Sequence, residues 1–189
     1  MKRILLIRHC HATGQHRDSP LSRQGLQQAH DLISKIEALS FPIDRIITSP
    51  YLRAQETIKP FAISHQIAVE VDERLKERLL SEEPIDDWMD ILEESFLNLH
   101  FKLPGGESSN EAYKRAEEVL DECMEDEMNE NIIIVTHGNL LALMLQKFYV
   151  DFGFHEWKSL SNPDMFLISH NEDDERVERI WEENPPHDI

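Results

Sequence analysis

The sequence predicts an α/β fold built on a single doubly wound, mostly parallel sheet with helices on both faces. Short apolar runs without alternation, at Ile4 to Ile7, Arg45 to Thr48 and Ile132 to Thr136, read as strands buried on both faces. Each is followed by a segment whose apolar residues recur three or four apart, as an amphipathic helix requires. Strands alternating with helices imply a parallel sheet covered on both sides. No internal repeat or low-complexity linker divides the chain, so its 189 residues are expected to form one domain, 1–189.

The first run leads through Leu21-Ser22-Arg23-Gln24-Gly25 into a helix with Leu26, Ala29, Leu32, Ile33, Ile36 and Leu39 on one face, ended by Phe41-Pro42. After the second run, Ser49-Pro50 predicts a helix start. Ser49 is the expected N-cap and Pro50 the first helical residue, where a missing N–H costs nothing. Arg53 then falls in the first turn. Ile67 to Val71 alternates as a strand does, and Asp86 to Leu99 carries Trp88, Ile91, Leu92 and Phe96 at helical spacing. Pro104-Gly105-Gly106 makes a turn. Ser108-Ser109-Asn110-Glu111 matches a capping box and opens a helix running to about Met128. Gly138 to Tyr149 is a strongly apolar helix. Met165 to Ser169 and Val177 to Trp181 are expected as two edge strands around the polar turn Asn171-Glu172-Asp173-Asp174.

Composition narrows the function classes. With 37 acidic against 19 basic side chains the formal net charge is −18, which repels nucleic acid and anionic membrane surfaces. No apolar run approaches the roughly 20 residues of a membrane span. The run after Met1-Lys2-Arg3 stops at Arg8, short of a signal-peptide core, so a cytoplasmic protein is expected. Cys10 and Cys123 have neither CxxC spacing nor disulfide-scaffold density, and reduced thiols are expected. Any small anionic substrate must be captured by a few basic groups concentrated in one pocket.

In a doubly wound sheet, ligands bind where strands end at their carboxyl side. There the sequence places Arg8-His9 after the first strand, Ser49 and Arg53 after the second, and His137-Gly138-Asn139 after the third. Two His and two Arg at one crevice suit phosphoryl transfer, which needs the group oriented and its equatorial oxygens stabilised. Arg8 and Arg53 offer planar guanidinium forks as clamps, and His137 adds a donor. Gly138 lets backbone approach closely at a helix start, where free N–H groups attract anions. His9 fits the nucleophile, since an imidazole with one nitrogen unprotonated and the other held by an acceptor can accept a phosphoryl group. A carboxylic acid must then protonate the leaving group, and Glu77 is the first candidate, Glu73 the second. Two other chemistries compete. A cysteine phosphatase built on Cys10 needs an Arg where His16 stands. A zinc site using His9 and His11, with His16 or His137, lacks a supporting HExxH or Cys/His cluster.

The segment Leu6-Ile7-Arg8-His9-Cys10-His11-Ala12-Thr13-Gly14-Gln15 resembles the arginine-histidine signature of the histidine phosphatase, or phosphoglycerate mutase-like, superfamily. Four further stretches resemble family blocks in the same order: Pro20 to Ala29, Thr48 to Thr57, Pro104 to Ser108, and Val135-Thr136-His137-Gly138. The resemblance covers roughly residues 1 to 150 and points to the phosphatase branch. It implies that His9 is phosphorylated, that Arg8, Arg53 and His137 hold the phosphate, and that Glu77, within Leu75-Lys76-Glu77-Arg78, is the proton donor. It also implies that no metal or other cofactor is needed. The expected substrate is a small phosphorylated metabolite, contacted by Gln15, Gly138 and Thr13. The family commonly has Gly and Glu where Cys10 and His11 stand, and Thr where Ala12 stands. Gln15 occupies a common Asn position and, as a primary amide, can still donate to phosphate. Ser81 follows Leu79-Leu80 where a Gly is usual. A phosphoglycerate mutase and a non-catalytic phospho-ligand binding module are the alternatives, the scarcity of Lys and Arg favouring hydrolysis. Substrate identity is expected to lie in Ser81 to Lys102, with Trp88, Phe96 and Phe101 lidding the crevice.

Overall fold

In a computed structural model, which describes residues 1–171 and 174–181, the three apolar runs become adjacent parallel strands. These are β1 (Lys2–Arg8), β2 (Arg45–Thr48) and β4 (Asn131–Thr136), with the short β3 (Val69–Val71) beside β2. Two antiparallel strands, β5 (Asp164–His170) and β6 (Glu175–Arg179), extend the other side, giving the order β3-β2-β4-β1-β5-β6. Alternate residues of the central strands serve opposite cores. Leu5, Ile7, Ile46, Ile133 and Val135 pack with Ala29, Leu32 and Ile36 of α1 (Arg23–Glu37) and with Ala54, Ile58 and Phe61 of α2 (Leu52–His65). Ile4, Leu6, Ile47, Ile132 and Ile134 pack on the other face against α4 (Ser109–Glu125) and α5 (Gly138–Leu145). Each such side chain taken fully out of water contributes ~1.5–3 kcal/mol, so the central strands are the anchor of the fold. The remaining helices are α3 (Trp88–Leu97) and α6 (Phe154–Lys158). No helix among the described residues is long and apolar enough to cross a membrane.

The capping box forms as its residues dictate: Ser108 Oγ accepts from the Glu111 N–H, and the Glu111 carboxylate accepts from the Ser108 N–H. Helix α4 stops at Glu125 rather than Met128, and α5 stops at Leu145 rather than Tyr149, the chain turning out of the core in both places. Ser49 does not cap α2. That helix begins at Leu52, with Tyr51 in the cap position and no side-chain cap, while the Ser49 hydroxyl, ahead of the helix, meets the Tyr51 N–H and His137. Only one of the two expected edge strands is at an edge. β5 lies between β1 and β6, in antiparallel register with β1 from Lys2↔His170 to Arg8↔Asp164, its backbone paired on both edges and Met165, Phe166 and Ile168 buried in the cores on either face. Of the expected polar turn, Glu172 and Asp173 lie outside the described residues.

Register fixes what meets at the carboxyl edge. Arg8 pairs with Thr136, and Thr48 with Val135, so β1, β2 and β4 end within one residue of each other. The chain beyond each strand, His9, Ser49 and His137, therefore opens onto one crevice.

Candidate active site

His9 follows β1 directly, its N–H donating to the Thr136 carbonyl at 3.0 Å, so sheet pairing runs on into the site. Its side chain is buried, with Nδ1 at 2.7 Å from the Cys10 carbonyl. A carbonyl can only accept, so Nδ1 carries the ring proton and Nε2 keeps its lone pair. That lone pair meets Arg53 Nε, which donates at 3.2 Å. Burial, with the positive charges of Arg53 and Arg8 adding to it and the Cys10 hydrogen bond opposing, lowers His9 from 6.5 to about 3. The imidazole is therefore neutral near pH 7, with an unprotonated nitrogen turned toward a cation.

Arg53 is almost wholly buried in the first turn of α2, where Nη1 donates to the carbonyls of Gln15 at 3.1 Å and His16 at 2.9 Å. The Tyr51 ring lies under its guanidinium at 4.9 Å. Arg8 reaches across to the loop before β5, where Nη1 donates to Leu160 and Ser161 carbonyls at 3.1 and 3.2 Å. Its Nε is buried without a protein partner. Burial lowers both guanidinium groups, and the nearby Glu77 carboxylate opposes that shift. His137 is fully buried at the start of α5, its ring 5.1 Å from that of His9 and its Nε2 2.7 Å from Ser49 Oγ. Ser49 Oγ accepts from the Tyr51 N–H and has its own proton to give His137 Nε2, an arrangement in which the ring proton is on Nδ1. Nδ1 is likewise buried without a partner. Burial, aided by His9 and the neighbouring arginines, holds His137 well below its ordinary value. The neutral His9 ring and two buried atoms without partners, Arg8 Nε and His137 Nδ1, thus lie together at the carboxyl end of the sheet, and an anion with several acceptor oxygens would satisfy such donors.

Gly138 is required by this packing. A methyl group there would lie 2.9 Å from the carbon, Nε and Nη2 of the Arg8 guanidinium. Gly138→Ala is expected to push Arg8 aside and weaken binding of inorganic phosphate, measured by calorimetry, by roughly tenfold, the worth of one charge-assisted hydrogen bond. An unchanged affinity would mean that Arg8 does not hold the anion.

The free N–H groups at the start of α5 do not face the crevice empty. Glu77 Oε2 accepts from Asn139 N–H at 3.1 Å and Oε1 from Leu140 N–H at 3.0 Å, with the Arg78 N–H also on Oε1 at 2.8 Å. The helix dipole thus holds a carboxylate beside the donors. Glu73 is elsewhere, in an exposed ion pair with Arg17 at 2.7 Å. A cleft of about 580 Å³ runs outward from Arg8, Gly138 and Glu77 past Gln15, Ser81 and Trp88. Thr13 does not line it, its hydroxyl donating to the Pro20 carbonyl at 3.2 Å. Of the three expected lid aromatics only Trp88 is in the cleft wall, joined by Trp157, which the sequence reading passed over. His11 turns to Ser22 Oγ at 2.7 Å, and among the described residues no group of three His, Cys, Asp or Glu gathers as a metal-ligand set. Burial pushes the Cys10 thiol up to about 12, which keeps it protonated and poorly nucleophilic.

Two structural residues, Asn162 and Gln28, went unread in the sequence, and Ser49, placed at the crevice, was given a different task. Ser49 Oγ holds the His137 ring at Nε2, 2.7 Å away. Asn162 Nδ2 donates to the His9 carbonyl at 2.9 Å, and Gln28 braces the same loop, donating to the Asn162 carbonyl at 2.8 Å while accepting from His11 N–H at 2.9 Å. Asn162 and Gln28 had no local signal, since each is a lone amide in an ordinary context. Ser49 had one, but it read as a helix cap.

The family described as histidine phosphatase superfamily (branch 1) matches residues 4–183. A protein named probable phosphoglycerate mutase GpmB, from Yersinia pestis, is 30% identical over 136 residues, which cover 68% of this chain and 62% of that relative. The match thus spans less than two thirds of the relative's length. Among solved structures, Bacillus stearothermophilus YhfR superposes with a TM-score of 0.77 at 24% identity, covering 94% of this chain and 95% of that one. A putative alpha-ribazole-5'-P phosphatase from Escherichia coli gives 0.74 at 20% identity over 94% and 95%. These likenesses establish the fold.

Proposed function

The chain belongs to the histidine phosphatase superfamily (branch 1), and on that premise we propose that it is a metal-independent phosphomonoesterase working through a phosphohistidine at His9. The observation that carries this reading is the His9 ring itself: neutral, its Nδ1–H fixed on the Cys10 carbonyl, its unprotonated Nε2 held by the Arg53 Nε–H until a phosphate oxygen takes over that donor. Arg8, Arg53 and His137 bind the phosphate oxygens and match the charge on the transferring group. His9 Nε2 forms the N–P bond as the ester P–O bond breaks, and Glu77, in its protonated form, gives its proton to the departing alkoxide. Water then attacks the phosphohistidine, Glu77 takes a proton from it, the N–P bond breaks and phosphate leaves with the enzyme restored.

A second reading, a phosphoglycerate mutase, is favoured by the name of the Yersinia relative. A mutase must hold a second anionic group. Apart from Arg8, the basic residue lining the cleft is Arg78, whose guanidinium is already engaged by the Glu107 carbonyl, Ser95 and Ser109. Hydrolysis of para-nitrophenyl phosphate in EDTA, with an acid-labile, base-stable phosphoenzyme trapped on rapid quenching, is the expected result. Phosphate binding with no phosphoenzyme would replace it with a binding module, and conversion of 3-phosphoglycerate to its isomer without phosphate release would replace it with the mutase.

A further inference from the structure

We propose that this cleft selects phosphate monoesters whose alcohol is apolar, above all aromatic, and carries no second anionic group. The inference rests on the phosphatase reading and concerns the part of the cleft beyond the phosphate donors. At about 580 Å³ the cleft leaves room for a ring-sized alcohol beside the phosphate. Its outer wall is Leu80, Pro84, Ile85, Trp88, Leu92 and Trp157.

That wall is braced rather than loose. Trp88 at the start of α3 meets Trp157 of α6 edge to face, centroids 6.3 Å apart. Trp157 stacks on Phe154 at 5.6 Å, and Phe154 meets Phe96 of α3 at 6.2 Å. Four rings thus tie two helices across the cleft mouth. An indole edge that another ring already holds offers a fixed surface, which costs little ordering when a substrate ring packs on it.

Charge gives the exclusion. From Leu79 to Phe101 the chain carries seven carboxylates and neither Lys nor Arg. One of them, Glu83, lines the cleft itself. Arg78 gives no counterweight, since it is 5% exposed and turned to Glu107, Ser95 and Ser109. A carboxylate or second phosphate on the alcohol would lie near Glu83, while the cations among the lining residues are Arg8, assigned to the first phosphate, and the engaged Arg78; a partly enclosed cleft strengthens the repulsion.

The test compares benzyl phosphate, glycerol 2-phosphate and 3-phosphoglycerate in EDTA. All three are alkyl esters, so leaving-group basicity does not set the order. The expected kcat/KM falls in that order, with benzyl phosphate ahead of 3-phosphoglycerate by about tenfold or more, the scale of one aromatic contact or one unpaired charge. Trp88→Ala is expected to lower the value for benzyl phosphate while leaving glycerol 2-phosphate nearly unchanged. Glu83→Lys, at an exposed position, is expected to narrow the penalty on 3-phosphoglycerate. A preference for 3-phosphoglycerate, or ratios that neither variant alters, would overturn the proposal while hydrolysis itself stood. Turnover of none of the esters would overturn the phosphatase reading along with it.

Discussion

Replacing His9 by Ala should abolish phosphatase activity, by about four orders of magnitude or more, and with it any trapped phosphoenzyme, since the variant keeps the clamps but has no nitrogen to form the N–P bond. Inorganic phosphate should still bind, because Arg8 is held by Leu160 and Ser161 and His137 by Ser49, none of which depends on His9. A phosphoenzyme surviving in His9→Ala would refute the assignment. The pH profile gives a second handle. With His9 lowered to about 3, chiefly by burial, the acid limb of kcat/KM should show no titration near the ordinary 6.5 of histidine. Stability carries the same signature. Between about 3 and 6.5 the unfolded chain binds a proton at this residue and the folded chain does not, so stability falls as pH falls through that window. His9→Ala removes this contribution, and its melting temperature relative to the unsubstituted protein should rise on acidification.

Glu77→Gln should split substrates by leaving group. Alkyl esters need a proton delivered to the departing oxygen and should slow by roughly 10²- to 10⁴-fold. For para-nitrophenyl phosphate, whose leaving group departs unaided, the first step should be nearly intact, and phosphoenzyme should accumulate because water attack also uses the carboxylate. Equal losses for both esters would mean that Glu77 acts only through the start of α5. That structural part is real, since its oxygens accept from Asn139 and Leu140, and losing the charge there should cost about 0.3–1 kcal/mol of stability. Glu73→Gln is the control: an exposed ion pair with Arg17 contributes little and lies away from the donors.

The choice between those two acids marks where sequence reading stopped. Glu73 and Glu77 stand in one charge run, Asp72 through Arg78, and nothing in its pattern says which turns inward. Three-dimensional packing decides it, because the run passes through a short 3₁₀ turn at Glu73–Leu75 and then meets the start of α5. Arg8, His9, Arg53 and His137 were legible because parallel strands put their carboxyl ends together, and each strand announced itself as an apolar run. Ser49 was misread because a serine before a proline looks the same whether it caps a helix or holds an imidazole. The interior place of β5 was hidden for another reason: an antiparallel strand that closes on β1 from more than 150 residues away leaves no local mark.

That long return has a consequence for synthesis. The first turn of the site chemistry lies at Arg8 and His9, yet both are pinned by Leu160, Ser161 and Asn162. A nascent chain that has emerged only through β4 contains every parallel strand of the sheet but lacks the groups that orient its arginine and histidine. Domains generally fold as units, so the proposed catalysis is expected only once β5 has been made and has docked. A ribosome stalled shortly before that strand would carry a chain that cannot yet perform the proposed chemistry.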